Sequence, residues 1–267
     1  MFTRSLRFFF PYFNLSIRAA IVFDGRVPAT AALADFDSAN SNFDPDFTKG
    51  QTNSCSSQTA LHLCDASIFA PGGSTPQTAV RRAELSPNPS LTPSNTTSTG
   101  IKTLHLSLQP SAQRPLNLSH EYLLVFNERA DFSANQISLK TGTLLGSDGS
   151  TKGDLVVLGN SKDGGEELFR TGFEEGVFVN FALVMDFDGN TVQVFSSTGA
   201  DPLTQQTEPL ANDLSGNGAL HFGINKNPTD PRDDVLRTGF QESGILEGVV
   251  YGGIFVEDSV DGTITLS

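Results

Sequence analysis

Short runs of β-branched and aromatic residues, four to ten long, alternate along this chain with clusters of Gly, Asn, Asp and Pro. Almost none carries the 3.6-residue stripe of an amphipathic helix, so the pattern predicts strands and turns. The sharpest unit is Phe181–Phe187 and Thr191–Ser196 around Asp188-Gly189-Asn190, which reads as an antiparallel hairpin on an Asp-Gly turn. Further strands are expected at Ala20–Phe23, Ala79–Glu84, Lys102–Leu108, Glu121–Glu128, Gln136–Leu139, Leu155–Leu158, Leu220–Ile224 and Gly248–Glu257. This is the texture of an all-β sandwich of antiparallel sheets with little helix. Asp35–Ser74 and Ser86–Gly100, rich in Ser, Asn, Asp or Pro, read as long surface loops, where sites are often carried on a rigid scaffold. No fixed-period repeat and no linker divides the chain, so 19–267 is expected to form one domain. Residues 1–18 read as a degenerate leader or disordered N-terminus, because Pro11, Asn14 and Arg18 interrupt the apolar stretch after Arg4 and Arg7.

Composition narrows the partners. A net charge of −13 over 267 residues repels phosphates, which argues against nucleic acid and anionic membranes and leaves a neutral polymer compatible. No apolar run is long enough to span a bilayer. Cys55 and Cys64 are the only cysteines; their spacing suits a small disulfide in a secreted chain, with two free thiols as the alternative. Asn14, Asn95 and Asn117 stand in N-x-[ST] triplets, open to glycosylation in a secretory route.

Two strands carry candidate chemistry. In Arg81-Arg82-Ala83-Glu84-Leu85, period-two alternation puts Arg82 and Glu84 on one side, where a guanidinium holds a carboxylate ionised and oriented. In His120–Glu128 the same alternation predicts one face with His120, Tyr122, Leu124, Phe126 and Glu128, and Glu121 and Asn127 opposite. That face mixes polar and apolar groups as a cleft floor does, and burial there raises a carboxylic acid's pKa. If Glu84 and Glu128 share a cleft, they form the carboxylate pair of glycoside cleavage; the bland alternatives are a surface ion pair and a solvated strand end. His221, in an apolar strand, reads as a core histidine or a cleft-lining one. Asp186-Phe-Asp188-Gly189 lacks the further ligands of a calcium loop, so the hairpin turn explains it. Gly146–Gly153 fails the phosphate-loop spacing, and no nucleophile elbow or zinc-spaced cluster occurs.

Phe23-Asp24-Gly25-Arg26, Arg81–Leu85, His120–Glu128, Asp186-Phe187, Ser197–Asp201, His221-Phe222-Gly223 and Gly252–Asp258, taken in order, resemble glycoside hydrolase family 131 from about Ile21 onward. The resemblance implies a β-jelly-roll secreted by plant-degrading fungi. It implies hydrolysis of β-1,3-, β-1,6- or β-1,4-glucan with inversion and no metal or organic cofactor. It carries the catalytic carboxylates onto Glu84 and Glu128, Arg82 onto the partner of the first, and His120 and His221 onto the cleft. Tyr122 stands where the family pattern has a histidine, Phe23 where it has Trp, and Phe178-Val179 where it has Trp-His. With no Trp in the chain, Phe36, Phe43 and Phe47 are the rings left to stack on a sugar.

The reading is therefore a secreted, monomeric β-glucanase acting on a polysaccharide partner, with Glu84 and Glu128 catalytic and Arg82, His120, Tyr122 and His221 binding substrate. The alternative is a non-catalytic glycan-binding sandwich. A polysaccharide lyase with Tyr122 and His120 as base and acid ranks last, since an acidic chain offers little cationic groove for a uronate.

Overall fold

The computed structural model describes residues 19–45, 61–70 and 75–267. Two antiparallel sheets pack face to face. The first runs in the order β3 (Arg81–Leu85), β13 (Gly218–Lys226), β5 (Glu121–Arg129), β6 (Asn135–Gly142), β7 (Asp154–Leu158) and β8 (Glu167–Gly172). The second runs β1 (Ala20–Asp24), β14 (Leu246–Asp258), β4 (Ile101–Pro110), β9 (Val179–Asp186), β10 (Thr191–Thr198) and β11 (Thr204–Gln205). Beside that path β2 (Leu61–Cys64) pairs with β14, and β12 (Leu210–Ala211) with β10. The helical elements described are short: one turn at Ser94–Thr97 and 3-10 turns at Leu33–Asp37 and Ser161–Asp163.

Alternation explains the core. Leu104, Leu106 and Leu108 of β4 and Phe181, Leu183 and Met185 of β9 meet Leu220, Phe222 and Ile224 of β13 and Leu155 and Val157 of β7 in one buried cluster. Each such side chain stabilises the fold by roughly 1.5–3 kcal/mol relative to exposure. The expected hairpin forms: Thr191 pairs with Asp186, Asn190 takes a positive φ of 53°, and Asp186 Oδ1 accepts the Asp188 and Gly189 N–H groups. That turn chemistry accounts for the Asp-x-Asp-Gly pattern, and among the described residues no cluster of His, Cys, Asp or Glu is arranged to hold a metal. No described helix is long and apolar enough to cross a membrane.

Three features depart from the sequence expectation. Strand β2 lies inside the stretch read as loop; it forms because its four residues find a partner in Leu246–Val249 of β14. Strand β8, Glu-Leu-Phe-Arg-Thr-Gly, has too few apolar positions to signal itself and forms by pairing with β7. Cys64 is disulfide-bonded, and the only other cysteine, Cys55, lies outside the described residues, as do Asn14 and Phe47.

The third departure is in β5, whose alternation breaks. The register slips between Leu123 and Val125 against β6 and between Phe222 and Asn225 against β13. Tyr122, Leu124 and Val125 all belong to the core, whereas Phe126 and Glu128 do not. The predicted single face of His120, Tyr122, Leu124, Phe126 and Glu128 is therefore corrected: a bulge reverses the side-chain phase in mid-strand. Tyr251 reaches across the core to satisfy it. Its hydroxyl lies 2.8 Å from the Leu124 carbonyl oxygen and 2.7 Å from that of Gly223, sharing one O–H between them.

Candidate active site

The outer face of β3, β13 and β5 brings four of the expected residues together. Arg82 donates from Nε and Nη2 to the two carboxylate oxygens of Glu84, at 2.8 and 2.9 Å. This planar two-point contact fixes the carboxylate's orientation. His221, on the neighbouring strand, stands 3.5 Å by Nδ1 from Glu84 Oε2 and 3.8 Å by Nε2 from Glu128 Oε2. Its ring lies flat on Phe126, centroids 4.4 Å apart. Strand order thus produces the row Arg82, Glu84, His221, Glu128.

Glycine makes the row possible. Gly223 pairs with Glu84 across β3 and β13, and a Cβ there would fall 2.2 Å from the Ala83 carbonyl oxygen and 2.7 Å from the Glu84 Cα. Any larger residue would push β3, and the carboxylate on it, out of place.

The two carboxyl groups are pushed in opposite directions. Burial works against ionisation of Glu84, but the Arg82 charge, helped by contacts with His221, outweighs it and holds the pKa at about 2. Glu128 has no such partner: burial pushes its pKa up, and the charges of His221 and Arg82 offset only part of that. One carboxylate is thereby kept ionised and the other biased toward its protonated form. Glu84 is nearly sealed from solvent, 5 % exposed, while Glu128 keeps 26 % of its side chain open.

His120 and Tyr122 do not join this group. The His120 Nδ1 donates to the Asn227 carbonyl at 2.8 Å, and its Nε2 meets Glu242 Oε2 at 2.8 Å. Tyr122 is fully buried, and its hydroxyl donates to Glu247 Oε2 at 2.7 Å. Lys226, also fully buried, bridges Glu242 and Glu247 at 2.6 and 2.7 Å. These residues form an internal ionic knot toward the opposite end of β13. Buried Tyr122 cannot touch a polymer, which corrects its placement on the cleft.

The two described rings among those expected to stack, Phe36 and Phe43, are not in the row either. Phe43 is buried in the core, and Phe36 packs against it with ring centroids 6.1 Å apart. Both line a cavity of about 280 Å³ with Asp24, Arg26, Asn40 and Asn42, which neither Glu84 nor Glu128 borders. Two residues the sequence did not single out do touch the row: Phe69 and Gln77 contact Arg82. Both precede β3 in chain stretches without strand periodicity, so no pattern marked them.

A two-layer β-sandwich with paired carboxylates on the outer face of one sheet has the layout of a carbohydrate-active domain. Residues 52–262 match the family model described as the glycoside hydrolase 131 catalytic N-terminal domain. The chain belongs to glycoside hydrolase family 131. Among solved structures it is similar to a GH131 β-glucanase catalytic domain from Podospora anserina, at 22 % identity and TM-score 0.68, covering 93 % of this chain and 98 % of that one. It is also similar to the catalytic domain of the family 131 protein from Coprinopsis cinerea, at 20 % identity and TM-score 0.62, covering 92 % and 97 %. No curated protein sequence matches.

Proposed function

We propose that this chain hydrolyses β-glucan with Glu84 as general base and Glu128 as general acid. The observation that carries the reading is the opposed titration of two carboxyl groups facing one imidazole, Glu84 held at about 2 and Glu128 raised. The β-glucanase named for the Podospora anserina structure supports the substrate class. Glu128 gives its proton to the glycosidic oxygen as that bond to the anomeric carbon breaks. Glu84 takes a proton from the water whose oxygen forms the new bond. One water is consumed, and the proton gained by Glu84 returns to Glu128 through solvent.

An imidazole between the carboxyl groups supports inversion. The ring contacts each carboxyl group through a different nitrogen, an arrangement that suits an acid and a base set ~6.5–9.5 Å apart with a water between them. Arg82 orients the base, and His221 shapes the floor between the two groups. We place the protein outside the cell as a monomer, a setting that suits the disulfide at Cys64 and an insoluble neutral substrate. The absence of Trp favours one alternative, a sandwich that binds glucan without cleaving it.

Reducing-sugar release from laminarin, barley mixed-linkage glucan, pustulan and soluble cellulose derivatives decides between them. Release by wild type, lost in folded Glu84→Gln and Glu128→Gln, is expected. No release from any glucan by folded wild type would sink the enzyme reading and leave binding. Anomeric NMR of the first product reports inversion or retention.

A further inference from the structure

Arg82 does not hold Glu84 unaided. Its guanidinium carbon lies 4.6 Å from the centroid of the Phe69 ring, and its Nη1 donates to Gln77 Oε1 at 3.2 Å. The two contacting residues are tied to each other, because the Gln77 N–H donates to the Phe69 carbonyl at 2.8 Å. The segment that carries Phe69 is tied to β3 as well, since the Arg82 N–H donates to the Ser67 carbonyl at 2.8 Å. The result is a collar: an aromatic face on one side of the guanidinium plane, an amide at one edge, and Glu84 along the opposite donors.

Such a collar changes what Arg82 can do. An arginine on a sheet surface swings through many rotamers, and an exposed carboxylate pair is worth little. Here the guanidinium is buried against a ring, where the cation–π attraction is stronger than in water. The amide takes one of the three N–H groups that Glu84 leaves unused, on Nη1. The other charged or titratable groups facing the Arg82–Glu84 pair are His221 from β13 and Glu128 from β5, with Tyr251 beneath Glu84. None of them restrains the guanidinium on the side that Phe69 covers.

We propose that Phe69 and Gln77 are positioning residues for glycoside cleavage, fixing the Arg82 plane so that Glu84 is held as an oriented carboxylate. The inference rests on Glu84 acting as the base. Neither residue belongs to the sheet that carries the carboxylates; both come from the segment between β2 and β3.

The test compares Phe69→Leu, Phe69→Tyr and Gln77→Leu in the full chain. Two readouts are needed: kcat and KM on the glucan that wild type cleaves best, and hydrogen exchange of the Arg82 Nε–H by NMR at neutral pH. Phe69→Leu keeps apolar bulk but removes the aromatic face. It is expected to lower kcat about 10-fold, with KM within about twofold, and to speed Arg82 Nε–H exchange about 10-fold. Phe69→Tyr restores both values, and Gln77→Leu reproduces the loss should Phe69→Leu fail to fold. A raised KM with kcat and the Arg82 signal unchanged would make Phe69 a sugar platform and overturn the proposal, as would variants indistinguishable from wild type. If wild type cleaves no glucan, the proposed function falls on its own. The Arg82 exchange rate then still decides whether the collar holds the Arg82–Glu84 pair.

Discussion

The imidazole of His221 lies parallel to the ring of Phe126, 4° off coplanar and 4.4 Å between centroids. Strand register sets this contact, since the two residues are direct partners across β13 and β5. The stack fixes the plane in which His221 presents one nitrogen to each carboxyl group. Phe126→Leu keeps most of the volume and removes the flat face. It is expected to lower kcat about 10-fold, with Tm falling only a few degrees. A wild-type kcat in this variant would show that the stack does not orient the imidazole.

The carboxylates set the pH profile. kcat/KM is expected to be bell-shaped, rising as Glu84 ionises near pH 2 and falling as Glu128 loses its proton above its ordinary 4.5. Glu128→Gln removes the falling limb and roughly 10²–10⁴ of the rate. A falling limb that persists in that variant would assign the acid elsewhere.

Glu84 also links stability to pH. Its folded pKa is depressed to about 2 from an ordinary 4.5. Its contribution is therefore fully present above about pH 4.5 and lost as pH falls toward 2. Glu128, raised in the fold, acts in the opposite sense: its burial costs stability once it ionises and stops costing it in acid. Urea midpoints at pH 5 and pH 3 should fall further in wild type than in Glu84→Gln, whose neutral amide does not titrate. Equal drops in both would remove Glu84 from the acid response.

The ionic knot gives a prediction independent of activity. Lys226→Met leaves buried Glu247, and Glu242 at the partly exposed edge of the knot, without their ammonium. Breaking a buried ion pair in this way costs about 3–5 kcal/mol, readable as a lowered urea midpoint. A loss below about 1 kcal/mol would mean that water reaches the knot.

Reduction tests the disulfide at Cys64. A disulfide contributes roughly 2–4 kcal/mol, in the chain-entropy account by constraining the unfolded chain, so reductant should lower Tm by several degrees. An unchanged Tm would show that the bond constrains little.

Much of this was legible from alternation. Glu84 and Arg82 fall together because β3 is regular, and the Asp-Gly hairpin and eight expected strands form near their predicted bounds. What alternation missed is what breaks it. The bulge in β5 depends on pairing with β6 and β13 and on a hydroxyl from β14, none of which is local in sequence. It sends Tyr122 inward and leaves Glu128 outward, although both carry the same parity. β2 and β8 owe their form to partners rather than to their own residues, and Phe69 acquires meaning only beside Arg82.

The pairing of β1 with β14 bears on how the chain is made. β14 joins β1 through Ala20–Asp258 and flanks β4 and β2 as well. One edge of the second sheet therefore joins the first and last of the described strands. Nascent chain emerges at about 5–20 residues per second, so β1 waits many seconds for its neighbour, and pairings of such long sequence separation fold slowly in any case. Until then the flanks of β1 and β4 that β14 will occupy stay open to other chains. The intermediate that precedes β14 therefore exposes two strand edges to pairing between chains.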